Sequence, residues 1–164
     1  MCSSDLTGDE AAAQGWSVQV LDTNGNGRRD AYVEPGEPMD PAKDTRIARG
    51  YYGVAPSPLD GSIWGSTLGM PGGLVRFVPG DDPVNTGLVE YYEVPWNDPA
   101  ARVQGYSPRG MDVDSNGVVW TVLSSGHFAS FDRSTCDGPL NGPTAGSEAR
   151  RVGKEGRSRW SPYP

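Results

Sequence analysis

The densest run of oxygen-bearing side chains in the sequence is Asp22-Thr23-Asn24-Gly25-Asn26-Gly27-Arg28-Arg29-Asp30. It matches the first nine positions of a calcium loop, D-x-N-x-N-G-x-x-D. Side-chain oxygens recur at positions one, three, five and nine, the glycine at position six permits the sharp turn, and a backbone carbonyl serves at position seven. The expected ligands are Asp22, Asn24, Asn26, the Arg28 carbonyl and Asp30. Position twelve, where a bidentate Glu belongs, is Val33, and Glu34 comes one residue late as the remaining candidate. Pro35 follows closely and leaves no room for a flanking helix. The competing reading is an Asn-Gly-rich turn between strands, and the Arg28-Arg29 pair weakens a cation site without abolishing it.

Other side chains suited to chemistry are scattered. The single histidine, His127, precedes an aromatic run. A lone histidine there reads first as a hydrogen-bonded residue at a strand end and second as a catalytic acid or base. Asp112 and Asp114 flank Val113 and share a strand face, as a carboxylate pair for a metal or a base does; carboxylates so close to a turn also bond to turn backbone. Arg109 and Arg76 suit an anionic ligand, or pairing with nearby carboxylates.

The elements that must carry these residues are short strands. The chain of 164 residues holds 23 Gly and 15 Pro against 35% hydrophobic residues. These glycines and prolines separate brief aromatic and β-branched runs, which is the punctuation of many strands joined by turns. No stretch repeats an apolar face at helical spacing, so the expected class is all-β. Two stretches, one starting at Gly50 and one at Gly105, repeat each other: Asp60-Gly61 matches Asn116-Gly117, and Trp64 matches Trp120. Each reads as a strand, a tight Asp/Asn-Gly hairpin turn whose two central residues can take positive φ, a strand carrying Trp, a loop and a third strand. Leu74-Val75-Arg76-Phe77 is aligned with Phe128-Ala129-Ser130-Phe131. Val89–Val94 supplies a fourth, outer strand to the first unit. Repeated antiparallel units that each bury a face on the next are the pattern of a β-propeller. A sandwich of two similar hairpins is the alternative. The expected architecture is a partial β-propeller of about one and a half four-stranded antiparallel blades, at 51–95 and 108–132, with Asn97–Ser107 as an insertion.

The run Pro108-Arg109-Gly110-Met111-Asp112-Val113-Asp114-Ser115-Asn116-Gly117-Val118-Val119-Trp120 resembles the blade motif of streptogramin B lyase-like propellers, with NHL-type and gluconolactonase-like propellers sharing its outline. In that family the motif runs Pro-His-Gly-Ile, then Asp/Asn-Gly, then Trp. The resemblance covers residues 50–132. It implies a propeller whose small-molecule ligand sits at the axis, built by loops of several blades, with Arg109 as a ligand-binding candidate. The lyases also use a His/Glu pair with magnesium near the axis. Here Arg109 stands in the motif's histidine position and the one histidine, His127, lies elsewhere. The expected role is therefore ligand binding through the axis of a longer, exported bacterial parent, periplasmic or extracellular. A metal-dependent lyase or lactone hydrolase parent, with His127 contributing, and a calcium-stabilised structural surface protein are the alternatives.

The two ends read differently from the body. Residues 146–164, GSEARRVGKEGRSRWSPYP, are basic and lack period or turn logic, and they resemble the translated reverse complement of a short-read sequencing adapter. Cys2–Leu6 resembles the other end of such an adapter. The expected organisation is an adapter-like stretch at 1–6, a loop-rich segment at 7–49 with the calcium motif, strands over 50–137, and a truncated linker with a disordered tail at 138–164. Cys136 is then the single cysteine of the body, either an orphan whose partner lies beyond the chain or an unoxidised thiol. A net charge of −7 disfavours nucleic acid and anionic membranes as partners. No apolar run is long enough for a membrane span.

Overall fold

Strands of two to six residues dominate the computed structural model, which describes residues 8–9, 15–96 and 104–136, and the backbone of 160–162. In chain order the strands are β1 (Gln19–Leu21), β2 (Tyr32–Val33), β3 (Asp44–Ile47), β4 (Tyr51–Pro56), β5 (Ile63–Thr67), β6 (Gly73–Val78), β7 (Leu88–Glu93), β8 (Pro108–Val113), β9 (Val119–Leu123), β10 (Phe128–Phe131) and β11 (Trp160–Pro162). A four-residue helix, α1 (Pro83–Thr86), joins β6 to β7. Among the described residues no helix is long and apolar enough to cross a membrane.

The chain forms one mixed seven-stranded sheet and a second, smaller sheet. In the first the order is β2-β3-β1-β7-β6-β5-β4. Strands β4 to β7 are consecutive antiparallel neighbours, with Ala55, Trp64, Arg76 and Glu90 in one cross-strand row. The segment 7–49, expected to be irregular, instead adds three strands to this sheet. Its β1 runs parallel to β7 through Leu21 and Val89, and antiparallel to β3. The physical reason is the outer edge of β7, whose unpaired N–H and C=O groups are a template for another strand. The fully buried Val20 supplies an apolar anchor for the addition.

In the second sheet β8, β9 and β10 are consecutive antiparallel neighbours, and β11 pairs with the open edge of β10. Residues 160–162 were expected in a disordered tail with the outer strand missing. They take that outer position instead, because the open edge of β10 offers unpaired N–H and C=O groups. The rest of that tail, the stretch 1–6 and residues 97–103 of the expected insertion lie outside the described residues.

The Asp/Asn-Gly loops form as expected, with one change of geometry. Gly61 has φ 70° and Gly117 φ 80°, whereas neither Asp60 nor Asn116 takes a positive φ. In the second loop Gly117 N–H donates to the Asp114 carbonyl at 3.0 Å, and Asp114 N–H to the Val118 carbonyl at 3.0 Å. This is a type I turn followed by a left-handed residue, a three-residue hairpin loop rather than a two-residue one.

Between the two sheets lies one apolar core. The first sheet contributes Ala55, Trp64, Leu74 and Tyr92, followed by Val94, and the second contributes Val113, Val119, Leu123, Ala129 and Phe131. Trp64 stacks on Tyr92 at 5.8 Å between ring centroids, and Phe131 meets both rings, at 6.1 and 4.6 Å. Strand pleating decides which aromatics take part. Phe131 is fully buried while Phe128, three residues earlier on the opposite face, is 45% exposed. The aligned Leu74 and Phe77 are divided the other way round: Leu74, matched to Phe128, is buried in the core, and Phe77, matched to Phe131, is half-buried outside it.

Candidate functional site

Two places gather the residues expected to do chemistry, and a buried ion network lies away from both. The first is the corner where the inner strands β4 and β8 approach. Gly53 allows that approach, since a β-carbon there would lie 3.1 Å from the Arg109 carbonyl oxygen and 3.3 Å from Met111 Cγ. The Ser66 hydroxyl accepts from Gly53 N–H at 3.0 Å and donates to the Arg109 carbonyl, joining the two strands. The exposed Arg109 side chain lies over the Tyr52 ring, 5.3 Å from its centroid, and its Nε donates to Ser124 Oγ at 2.8 Å. A guanidinium held over an aromatic face keeps donors free for an anionic or aromatic ligand.

His127 sits in the β9–β10 turn with Nδ1 3.1 Å from Ser125 Oγ. Among the described residues no carboxylate hydrogen-bonds to its ring. Asp114 serves the preceding turn: Oδ1 accepts from Asn116 and Val118 N–H, and Oδ2 from Trp120 Nε1 at 3.0 Å. The Trp120 hydrogen bond is the chief cause that holds its carboxyl below the usual range. Asp112 Oδ1 bonds to the Val113 N–H. This is the backbone-bonding alternative for the pair.

The second place is the loop between β1 and β2. Asp22, only 3% exposed, collects the loop backbone: Oδ1 accepts from Gly25 and Asn26 N–H at 2.7 and 3.2 Å, and Oδ2 from Gly27 N–H at 2.8 Å. Asn24 and Asn26 both donate through Nδ2 to Asp30 Oδ2, and these bonds hold its carboxyl below the usual range. Their Oδ1 atoms accept from Asn26 and Arg28 N–H. The loop thus brings Asp22, Asn24, Asn26 and Asp30 together. Glu34 stands apart, paired with Arg46 at 2.6 Å on the exposed surface.

One residue of this region went unnoticed in the sequence. Asp44 opens β3 beside Tyr32 of β2, and its carboxylate is fully buried. Its Oδ2 accepts from the Asp30 N–H at 2.7 Å, while Oδ1 has no hydrogen-bond partner. Burial pushes this carboxyl up, and the charges of Asp22 and Asp30 add to that, opposed by the Asp30 and Thr23 N–H groups. The only sequence signal is an acidic residue fourteen positions beyond Asp30, a separation that no loop motif encodes.

The ion network joins the sheets. Arg133 grips Glu90 with two bonds of 2.7 Å, Arg76 adds a third at 3.2 Å, and the Tyr92 hydroxyl donates to Glu90 at 2.6 Å. Burial raises the Glu90 carboxyl, but Arg133, Tyr92 and Arg76 outweigh it and hold it below its ordinary range. Arg76 also binds Asp60 at 2.7 Å, so it pairs with carboxylates rather than standing open to a ligand. No protein-family model, curated protein or solved structure matches the chain.

Proposed function

We propose that the two sheets are successive blades of a β-propeller of the streptogramin lyase-like kind, and that the chain is part of a small-molecule-binding protein whose ligand sits where the inner strands meet. The observation that carries this reading is the direction in which the matched tryptophans point. Trp64 faces the second sheet and is 2% exposed. Trp120 lies in the row Asp112-Trp120-Ser130, on the face opposite to the Val113-Val119-Phe131 row that meets the first sheet. In a sandwich related by a face-to-face two-fold, matched residues both point inward. In a propeller the repeats are related by rotation about an axis, so matched residues point the same way round. The opposite facing of Trp64 and Trp120 relative to the shared core supports the second pattern.

Two further features support the reading. The outward face of the second sheet carries Trp120 stacked on Phe128 at 5.7 Å, beside the exposed Val122. The far face of the first sheet carries exposed Tyr51, Val54 and Ile63. Both are apolar surfaces suited to another sheet. Arg109, in the motif's histidine position, would then line the central opening with Tyr52 behind it. The test is a crystal structure of the protein read from its complete gene. A further sheet seated on Trp120 and Phe128 is the expected result. Finding those side chains bare, with only two sheets closed on each other, would overturn the proposal. In the same protein, Arg109→Ala should weaken the best anionic small molecule from a thermal-shift screen by about tenfold, roughly 1.4 kcal/mol.

A further inference from the structure

A calcium loop lacking its twelfth-position acid is short of one charged ligand, and the fold brings a carboxylate to it from another strand. Asp44 is fully buried, and one of its two oxygens is bonded to the Asp30 backbone at 2.7 Å. The other, Oδ1, is shut away from water with no hydrogen-bond partner. A buried carboxylate oxygen left in this state is costly, and the Asp30 and Thr23 N–H groups offset only part of the water the group has lost. Nor does a protein cation offset the Asp44 charge, although Arg28 acts on Asp30. Arg46, two residues along β3, is taken by Glu34, and Lys43 pairs with Asp40.

We infer that the loop Asp22–Asp30 and Asp44 together form a site for a hard divalent cation, calcium in size, with Asp44 as the ligand that replaces the missing twelfth-position acid. The donor set is oxygen throughout: carboxylates of Asp22, Asp30 and Asp44, amide oxygens of Asn24 and Asn26, and the Arg28 carbonyl. That is the set calcium takes, and its tolerance of six to eight ligands in irregular geometry suits a site shared between a loop and a strand. Among the described residues no three His, Cys, Asp or Glu side chains converge tightly enough to hold a metal by themselves. The amide and backbone oxygens are therefore needed. So is a half-turn of the Asn24 and Asn26 amides, which turns their oxygens to the ion and gives up the bonds those oxygens accept from the Asn26 and Arg28 N–H groups. Glu34 has no part in the site.

The inference stands independently of the propeller reading. Calcium titration of the full chain, followed by its melting temperature and by isothermal calorimetry, tests it. Millimolar calcium should raise the melting temperature by several degrees through preferential binding to the folded state. Asp44→Asn keeps the acceptor for the Asp30 N–H but removes the charge, and should weaken calcium by on the order of tenfold or more. Glu34→Gln should leave it unchanged. In the unaltered chain the carboxyl-carbon resonance of Asp44 should move on calcium addition, which keeps the test open if the variant fails to fold. A melting temperature insensitive to calcium, an Asp44→Asn chain that binds as well as the original, or an unmoved Asp44 resonance would each overturn the site.

Discussion

The two sheets use the same local recipe and spend it differently. Each has a glycine-ended turn followed by a strand with a tryptophan, yet Trp64 is 2% exposed between the sheets while Trp120 lies on the outward face. Their polar neighbours differ to match. Asp60, at the first turn, is tied into the Arg76–Glu90–Arg133 network at the interface. Asp114, at the second, bonds to its own turn and to the Trp120 indole. The lesson is that a repeated motif fixes strand and turn, whereas the neighbour that a face meets decides what the motif's side chains contribute to stability.

Truncation of the matched aromatics should separate the two sheets most strongly. Trp64→Ala and Phe131→Ala each empty the shared core and should cost about 3–5 kcal/mol in urea unfolding of this chain. Trp120→Ala and Phe128→Ala should each cost about 1 kcal/mol or less. Equal losses at Trp64 and Trp120 would mean that the outward face is as well packed as the interface.

A smaller effect is expected at the ion network. Glu90→Ala leaves Arg76 and Arg133 without their common partner and should cost about 3 kcal/mol, near the lower end for a buried pair because Arg133 is partly solvated. The pH dependence follows from the lowered Glu90 carboxyl. Its contribution is fully present above the ordinary value of 4.5 and is lost as pH falls through the lower folded value. Acid titration of stability should therefore be shallower in Glu90→Gln than in the original chain, and identical slopes would remove Glu90 from the account.

A change as small as those on the outward face is expected at the second turn. Asp114→Ala removes bonds to the turn's backbone and to the Trp120 indole, and should cost about 1 kcal/mol while altering Trp120 emission. An unchanged emission spectrum would show that the indole is held by packing alone.

Much of this was legible in the sequence, and the exceptions have physical causes. The strands from Tyr51 to Phe131 announce themselves through β-branched and aromatic runs between glycine turns. The strands β1 to β3 do not: at two to four residues they are too short to display a period, and they exist because β7 offers an edge. The residues Asp22, Asn24, Asn26 and Asp30 are gathered by one local loop, so spacing alone identified them. Asp44 reaches the same place through sheet pairing, and pairing leaves no mark on local spacing. The Glu90–Arg133 contact, 43 residues apart, was hidden for the same reason.

Gly53 and Ser66 carry a consequence for how such a molecule can drift over generations. A methyl group at position 53 would crowd the Ser66 hydroxyl at 3.2 Å as well as the neighbouring strand's carbonyl. The serine in turn carries the hydrogen bond that spans the gap. Neither position is free to change alone. Sequences that descend from this one should keep both or replace both, and a lineage that alters only one is expected to show a compensating change at Met111.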